Sequence, residues 1–208
     1  MEVESSTADP LATLVVRPAN EADGDDLAMI FGMRGNGFRC QCQRYKLNPG
    51  ESVAAFPVEE RAHRLREQTE CGDPTADRTS GLVGYLDGEP VGWCAVEPRP
   101  AYPGLVRYNR VAWVGREEDK ADDRVWAVTC LFTRAGYRRR GVSRALARAA
   151  VDFAWERGAR AVEAYPMMTT NAIAEELHVG TVRTFAAAGL REVSHPTSRR
   201  VVMRRELA

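Results

Sequence analysis

This 208-residue chain is short of surplus charge, of long apolar runs and of pairable cysteines. Its 29 Lys and Arg balance 29 Asp and Glu, so the formal net charge is zero. A protein built to coat nucleic acid carries a large basic excess, and that class is disfavoured at once. No segment approaches the roughly 18 apolar residues a membrane span requires; the longest apolar stretch, around Trp126–Phe132, is strand-sized. The first residues, MEVESSTADP, are acidic and polar, unlike a secretory signal. The five cysteines (Cys40, Cys42, Cys71, Cys94 and Cys130) form an odd, scattered set, which fits reduced thiols in a cytoplasm better than a disulfide framework. What is present is ordinary for a globular domain: 44% hydrophobic and 28% charged residues, in a chain long enough to bury a full core.

Along the chain, residues 1–12 read as a flexible leader and 13–208 as one domain. Leu14–Arg17 reads as a strand closed by Pro18. Asn20 is positioned to cap a helix that ends near Gly32. Residues 35–42 look too glycine-rich for a helix interior. Pro57 opens a helix over Val58–Glu70. Leu82–Leu86 and Val91–Val96 flank Asp87-Gly88-Glu89-Pro90, a hairpin signal. Val125–Thr133 is bulky and β-branched on both faces, as a central strand is. A helix with apolar Val142, Ala145, Leu146, Ala149 and Phe153 at helical spacing follows, to about Arg157. Ala161–Tyr165 reads as a strand and Val179–Ala188 as a short helix stopped by Gly189. Arg191–Val193 and Arg200–Glu206 read as antiparallel strands around His195-Pro196. This order predicts a mixed α/β (α+β) sheet flanked by helices.

The segment carrying most information joins the central strand to the helix: Tyr137-Arg138-Arg139-Arg140-Gly141-Val142-Ser143-Arg144. Amides at a helix start lack intrahelical partners and lie at the positive end of the helix dipole. Gly141 lets an anion approach the backbone. From Arg134 to Arg148 there are six arginines and no acidic residue. The segment reads as a phosphate cradle suited to a pyrophosphate, or else as a solvated arginine-rich turn. It lacks the ending of a Walker loop and the glycine spacing of a dinucleotide fingerprint.

This stretch resembles motif A of the GNAT (general N-acetyltransferase) superfamily, with Arg138 and Gly141 at matching positions and Ser143 in place of the final Gly or Ala. The hairpin Gly84–Gly92 resembles the family's second and third strands, and Val15–Ala19 its usual start. His178-x-x-Thr181-x-x-x-Phe185-x-x-x-Gly189-Leu190 resembles motif B. The resemblance spans roughly residues 13–206. It implies a mostly antiparallel six- to seven-stranded sheet that binds acetyl-CoA or another acyl-CoA. The pantetheine arm would pair with the fourth strand at Leu131, Phe132 and Thr133. The pyrophosphate would sit on Arg138, Arg139, Arg140, Gly141, Val142, Ser143 and Arg144, and Phe185 would take the motif B aromatic position beside the cofactor. The implied reaction is direct attack of a primary amine, expected to belong to a small molecule, on the thioester.

Two departures bear on catalysis. The family's motif B Tyr, which protonates the leaving thiolate, is Phe185 here, and Val125–Thr133 contains no carboxylate to act as base. The replacements are His178, Tyr165 and Glu97, each with a plainer reading: a helix-start residue, a core aromatic and a surface carboxylate. Phe38, Cys40, Cys42, Tyr45 and Tyr102 are candidates to touch substrate, or else to pack beneath the neighbouring helix or line a connector. Cys40-Gln41-Cys42 has the wrong spacing for zinc, so no metal is expected. Cys130 either faces the acyl group or packs. The acidic loop Glu117–Asp123 either attracts a cationic amine or is a solvated turn. The resemblance allows a homodimer through the C-terminal strands. Two other readings stand beside the enzyme: a catalytically silent acyl-CoA-sensing domain, and a nucleic-acid-binding module using the Arg138–Arg148 face.

Overall fold

The computed structural model describes residues 14–168, 172 and 176–207. The expected leader over residues 1–12 lies outside them, as does part of the loop after β5. Seven strands form one sheet in the order β1-β2-β3-β4-β5-β7-β6. They are β1 (Leu14–Pro18), β2 (Gly81–Leu86), β3 (Glu89–Pro98), β4 (Val125–Thr133), β5 (Ala161–Ala164), β6 (Arg191–Thr197) and β7 (Arg200–Glu206). Only β4 and β5 run parallel; the remaining pairs are antiparallel. The fold is the mixed α/β sheet that the order of elements implies, and it is mostly antiparallel, as the resemblance implies.

Alternation along β3 builds both cores. Trp93 and Ala95 face α1 (Gly24–Phe31) and α3 (Val58–Thr69), whereas Cys94 and Val96 face α4 (Val142–Glu156) and α5 (Val182–Ala186). Successive residues of a strand point to opposite faces, so a strand covered on both sides is apolar throughout. At Gly92, α4 sits close against β3. A Cβ there would lie 2.7 Å from a Val142 methyl and 2.8 Å from a Leu146 methyl. Gly92→Val is therefore expected to cost about 1–3 kcal/mol by overpacking and to lower Tm by roughly 2–12 °C for a domain of this size. A thermal melt reads this directly; an unchanged Tm would contradict the close seating of α4.

Four local expectations need correction. Asn20 caps no helix: its amide donates to the carbonyls of Asp73 (3.2 Å) and Ala76 (3.4 Å). The cap of α1 is Asp23, in a capping box with Asp26. Gly35–Cys40 forms a helix, α2, despite its glycines. The reason is tertiary: a Cβ on Gly37 would lie 2.6 Å from the Phe132 ring, so only glycine lets this helix sit on β4. The helix expected from Val179 starts at Val182, capped by Thr181, after a 3-10 turn over Glu176–Val179. Finally, β6 continues through His195 and Pro196 to Thr197, and β7 resumes at Arg200. Proline is tolerated there because β6 is the edge strand.

Candidate active site

The site begins where the sheet divides. β5 pairs with β4 only over Val125–Val128. Beyond that, no strand among the described residues pairs with this edge of Thr129–Thr133. On its other edge β4 carries a bulge, because Ala95 pairs with Cys130 while Val96 pairs with Val128 and Thr129 is left over. A bulge re-aims the strand at the point where the parallel pairing stops.

At the outer end of this edge lies the arginine turn. Arg139 (φ 63°) and Gly141 (φ 82°) are both left-handed. Gly141 caps α4 without a side-chain hydrogen bond. Arg144 and Ala145 already donate to the Gly141 carbonyl, which leaves the amides of Val142 and Ser143 as the open donors of the helix start. Thr133 and Ser143 join strand end to helix start through their hydroxyls, 3.1 Å apart. Arg138, Arg139, Arg140 and Arg144 are exposed, and none forms an ion pair with a described residue. The side chain of Val142, in contrast, is core.

A cavity of about 610 Å³ runs from this turn along the β4 edge. It is lined by Arg138, Arg139 and Ser143, by Cys130, Leu131, Phe132 and Thr133, by Cys40 and Cys42, and by His178. Arg140, Gly141, Val142 and Arg144 stand around its outer end rather than in its wall. Phe185 is fully buried in the core beside Leu131 and Gly180, outside the wall. Phe38 is partly buried on α2 and also stands outside it.

A second cavity, of about 460 Å³, shares Arg44 with the first and is lined by Tyr45, Tyr165, Ala112 and Arg200. Tyr165 connects its wall to a buried polar network. Glu163 is fully buried and accepts from Arg99 (3.3 Å), Arg204 (3.0 Å), Arg116 and the Tyr165 hydroxyl (2.7 Å). Glu118 accepts from Arg99 (2.8 Å) and Arg204 (3.0 Å), so this member of the acidic loop is part of the network rather than simply solvated. Burial, and then the neighbouring Glu163 charge, hold the Tyr165 proton well above the ordinary phenol range.

Glu97, at the end of β3, is in the wall of neither cavity. It pairs with Lys46, both side chains being largely buried, and the Lys46 ammonium lies 4.6 Å from the Tyr102 ring centre. Burial raises the Glu97 carboxyl above its usual range, against the lowering pull of Lys46. The buried Tyr102 hydroxyl is near Glu97 and Thr129 but forms no well-aligned hydrogen bond with a described residue.

Cys42 completes the group. Gln41 (φ 46°) and Cys42 (φ 57°) are consecutive left-handed non-glycine residues. Such backbone costs about 1–3 kcal/mol per residue and clusters at functional sites. The Trp93 indole N–H donates to the Cys42 sulfur at 3.2 Å. The neighbouring Cys130 thiol, then Trp93 and Lys46, lower the Cys42 thiol against burial and the Glu97 charge, which raise it. Cys130 is raised by the same contact and by burial, and Cys40 is raised by burial.

A family model described as acetyltransferase (GNAT) family matches residues 48–180 of the chain. The chain belongs to the GNAT acetyltransferase family. Solved GNAT-type structures share the fold. A GCN5-related N-acetyltransferase from Kribbella flavida is 21% identical with a TM-score of 0.51, the match covering 94% of this chain and 98% of that one. An N-acetyltransferase from Staphylococcus aureus Mu50 is 10% identical with a TM-score of 0.54, covering 95% of this chain and 100% of that one. The protein yncA from Salmonella typhimurium, solved with its cofactor acetyl-CoA, is 14% identical with a TM-score of 0.52, covering 94% and 95%. A comparison with curated proteins finds no match. In GNAT terms, the divided β4 edge and the arginine turn are the parts that sequence reasoning reached. Lys46, Arg44 and the indole of Trp93 were missed. Their roles depend on contacts across about fifty residues, for which no local pattern exists.

Proposed function

We propose that the chain is an N-acetyltransferase that moves an acetyl group from acetyl-CoA to the primary amine of a small molecule by direct attack on the thioester. The observation carrying this reading is the cavity that joins the arginine turn to the unpaired β4 edge and reaches Cys42 and Cys130. The diphosphate sits on the amides of Val142 and Ser143, with Arg138 and Arg139 beside it. The arm runs along Thr133, Phe132 and Leu131. Backbone N–H groups near the Thr129 bulge polarise the acyl carbonyl as its oxygen gains charge. The amine arrives from the cavity lined by Tyr45 and Tyr165.

Glu97 accepts the ammonium proton. Burial raises its pKa toward the operating pH, which suits a general base. Lys46 orients its carboxylate. His178, in the wall of the donor cavity, protonates the departing thiolate. Tyr165 does not carry a proton in this reading, because its hydroxyl is committed to Glu163.

Glu97→Gln is the test. It is expected to lower kcat by about 10²-fold or more, leaving acetyl-CoA binding intact. A base works deprotonated, so the wild-type rate should fall as pH drops through the Glu97 pKa, which lies above the ordinary carboxylate range. Loss of this limb in Glu97→Gln supports the assignment; an unchanged rate and profile would remove Glu97 from the mechanism. Phe185 keeps the silent sensing reading in play, since it has no proton to give. Release of free CoA thiol across a panel of amines separates the two.

A further inference from the structure

We propose that Cys42 is a second acyl acceptor in this site, becoming S-acetylated by the bound donor when no amine is present. The inference rests on the acetyl-CoA reading above. Three thiols (Cys40, Cys42 and Cys130) line the donor cavity. Cys130 lies next to the Thr129 bulge, at the inner end of the unpaired edge. From Thr133 to Thr129 that edge spans about 13 Å at the ordinary strand rise, and an arm laid along it brings its thioester toward the thiols.

Of the three, Cys42 is built as a nucleophile. Two successive left-handed residues turn the chain at this point. The Trp93 indole N–H donates to its sulfur, and the Lys46 ammonium favours its thiolate against the opposing burial and Glu97 charge. Donors and a nearby cation are what activate a thiol for attack. Cys40 and Cys130 hold their protons more tightly.

The step balances without any further reactant. The Cys42 sulfur bonds to the acetyl carbonyl carbon, and the carbon–sulfur bond to CoA breaks. The electron pair leaves on the CoA sulfur, which ends with the proton that Cys42 gave up. One thioester replaces another, so added CoA reverses the reaction and an amine can take the acetyl group from Cys42.

The experiment incubates the full chain with acetyl-CoA and no amine, followed by intact mass and peptide mapping. One acetyl group is expected on the peptide carrying Cys42, removable by excess CoA and by neutral hydroxylamine. Cys71, a partly buried thiol outside the cavity, is the internal reference, and Cys42 should label at least about tenfold faster. Urea-unfolded chain should lose that preference. Cys130→Ala, which removes the neighbouring thiol donor while leaving the backbone alone, should slow the labelling of Cys42.

Thermal shift with acetyl-CoA separates the two readings. A shift without label on Cys42, or with label on Cys40 or Cys130 instead, overturns this inference alone. No shift overturns the acetyl-CoA reading and this inference with it.

Discussion

Gly141→Glu is expected to abolish acetyl-CoA binding in a chain that still folds. Gly141 sits at φ 82° as the cap of α4, a conformation that costs a side-chain-bearing residue about 1–2 kcal/mol. Domains have about 5–15 kcal/mol of stability, so this strain is survivable. The larger effect is electrostatic. A carboxylate at the cap is attracted to the same helix-start amides and arginines that would receive the diphosphate, and it repels that group. In the wild type, acetyl-CoA at a hundredfold excess over its Kd should add about 2.7 kcal/mol of stability. In Gly141→Glu that gain should vanish. Gly141→Ala carries the backbone strain without the charge and should keep most of the gain, which assigns the loss to charge. A folded Gly141→Glu chain with an undiminished acetyl-CoA shift would move the diphosphate away from this turn.

The second large effect belongs to stability. Glu163→Ala leaves Arg99, Arg116 and Arg204 around a fully buried gap, with only Glu118 as a shared carboxylate. Breaking a buried ion pair by removing one partner costs about 3–5 kcal/mol, because the remaining charge stays out of water. For a domain of this size that lowers Tm by roughly 6–20 °C. Glu163→Gln, which keeps the shape and one acceptor oxygen, should fall between. The Tyr165 hydroxyl also loses its acceptor, so the wall of the second cavity at Tyr165 should loosen along with the melt. A Tm within about 2 °C of wild type, below the shift expected from 1 kcal/mol, would mean that the network contributes nothing net.

The legible parts of this protein are those where chemistry is local. The hairpin at Asp87-Gly88, the two-faced apolar β4 and the α4 stripe all follow from periods of two and 3.6 residues and from glycine's tolerance of positive φ. The arginine turn was readable for the same reason, since the helix start, the glycine and the cations lie within eight residues. Errors appeared where distant groups decide. Gly35–Cys40 looks unsuited to a helix until Phe132 is brought beneath Gly37. Asn20 has the right side chain for a cap, but Asp73 and Ala76 claim it first. Glu97 resembles any strand-end carboxylate until Lys46 and Tyr102 surround it.

By itself, then, the sequence determined the order of strands and helices and the arginine-rich turn at the start of α4, because backbone preference and side-chain spacing act over a few residues. Tertiary structure alone decided that Glu97 is buried against Lys46 and that the Cys42 sulfur accepts from Trp93. Those outcomes depend on burial and on contacts between segments far apart in the chain, where solvent exclusion, not local propensity, sets both packing and charge.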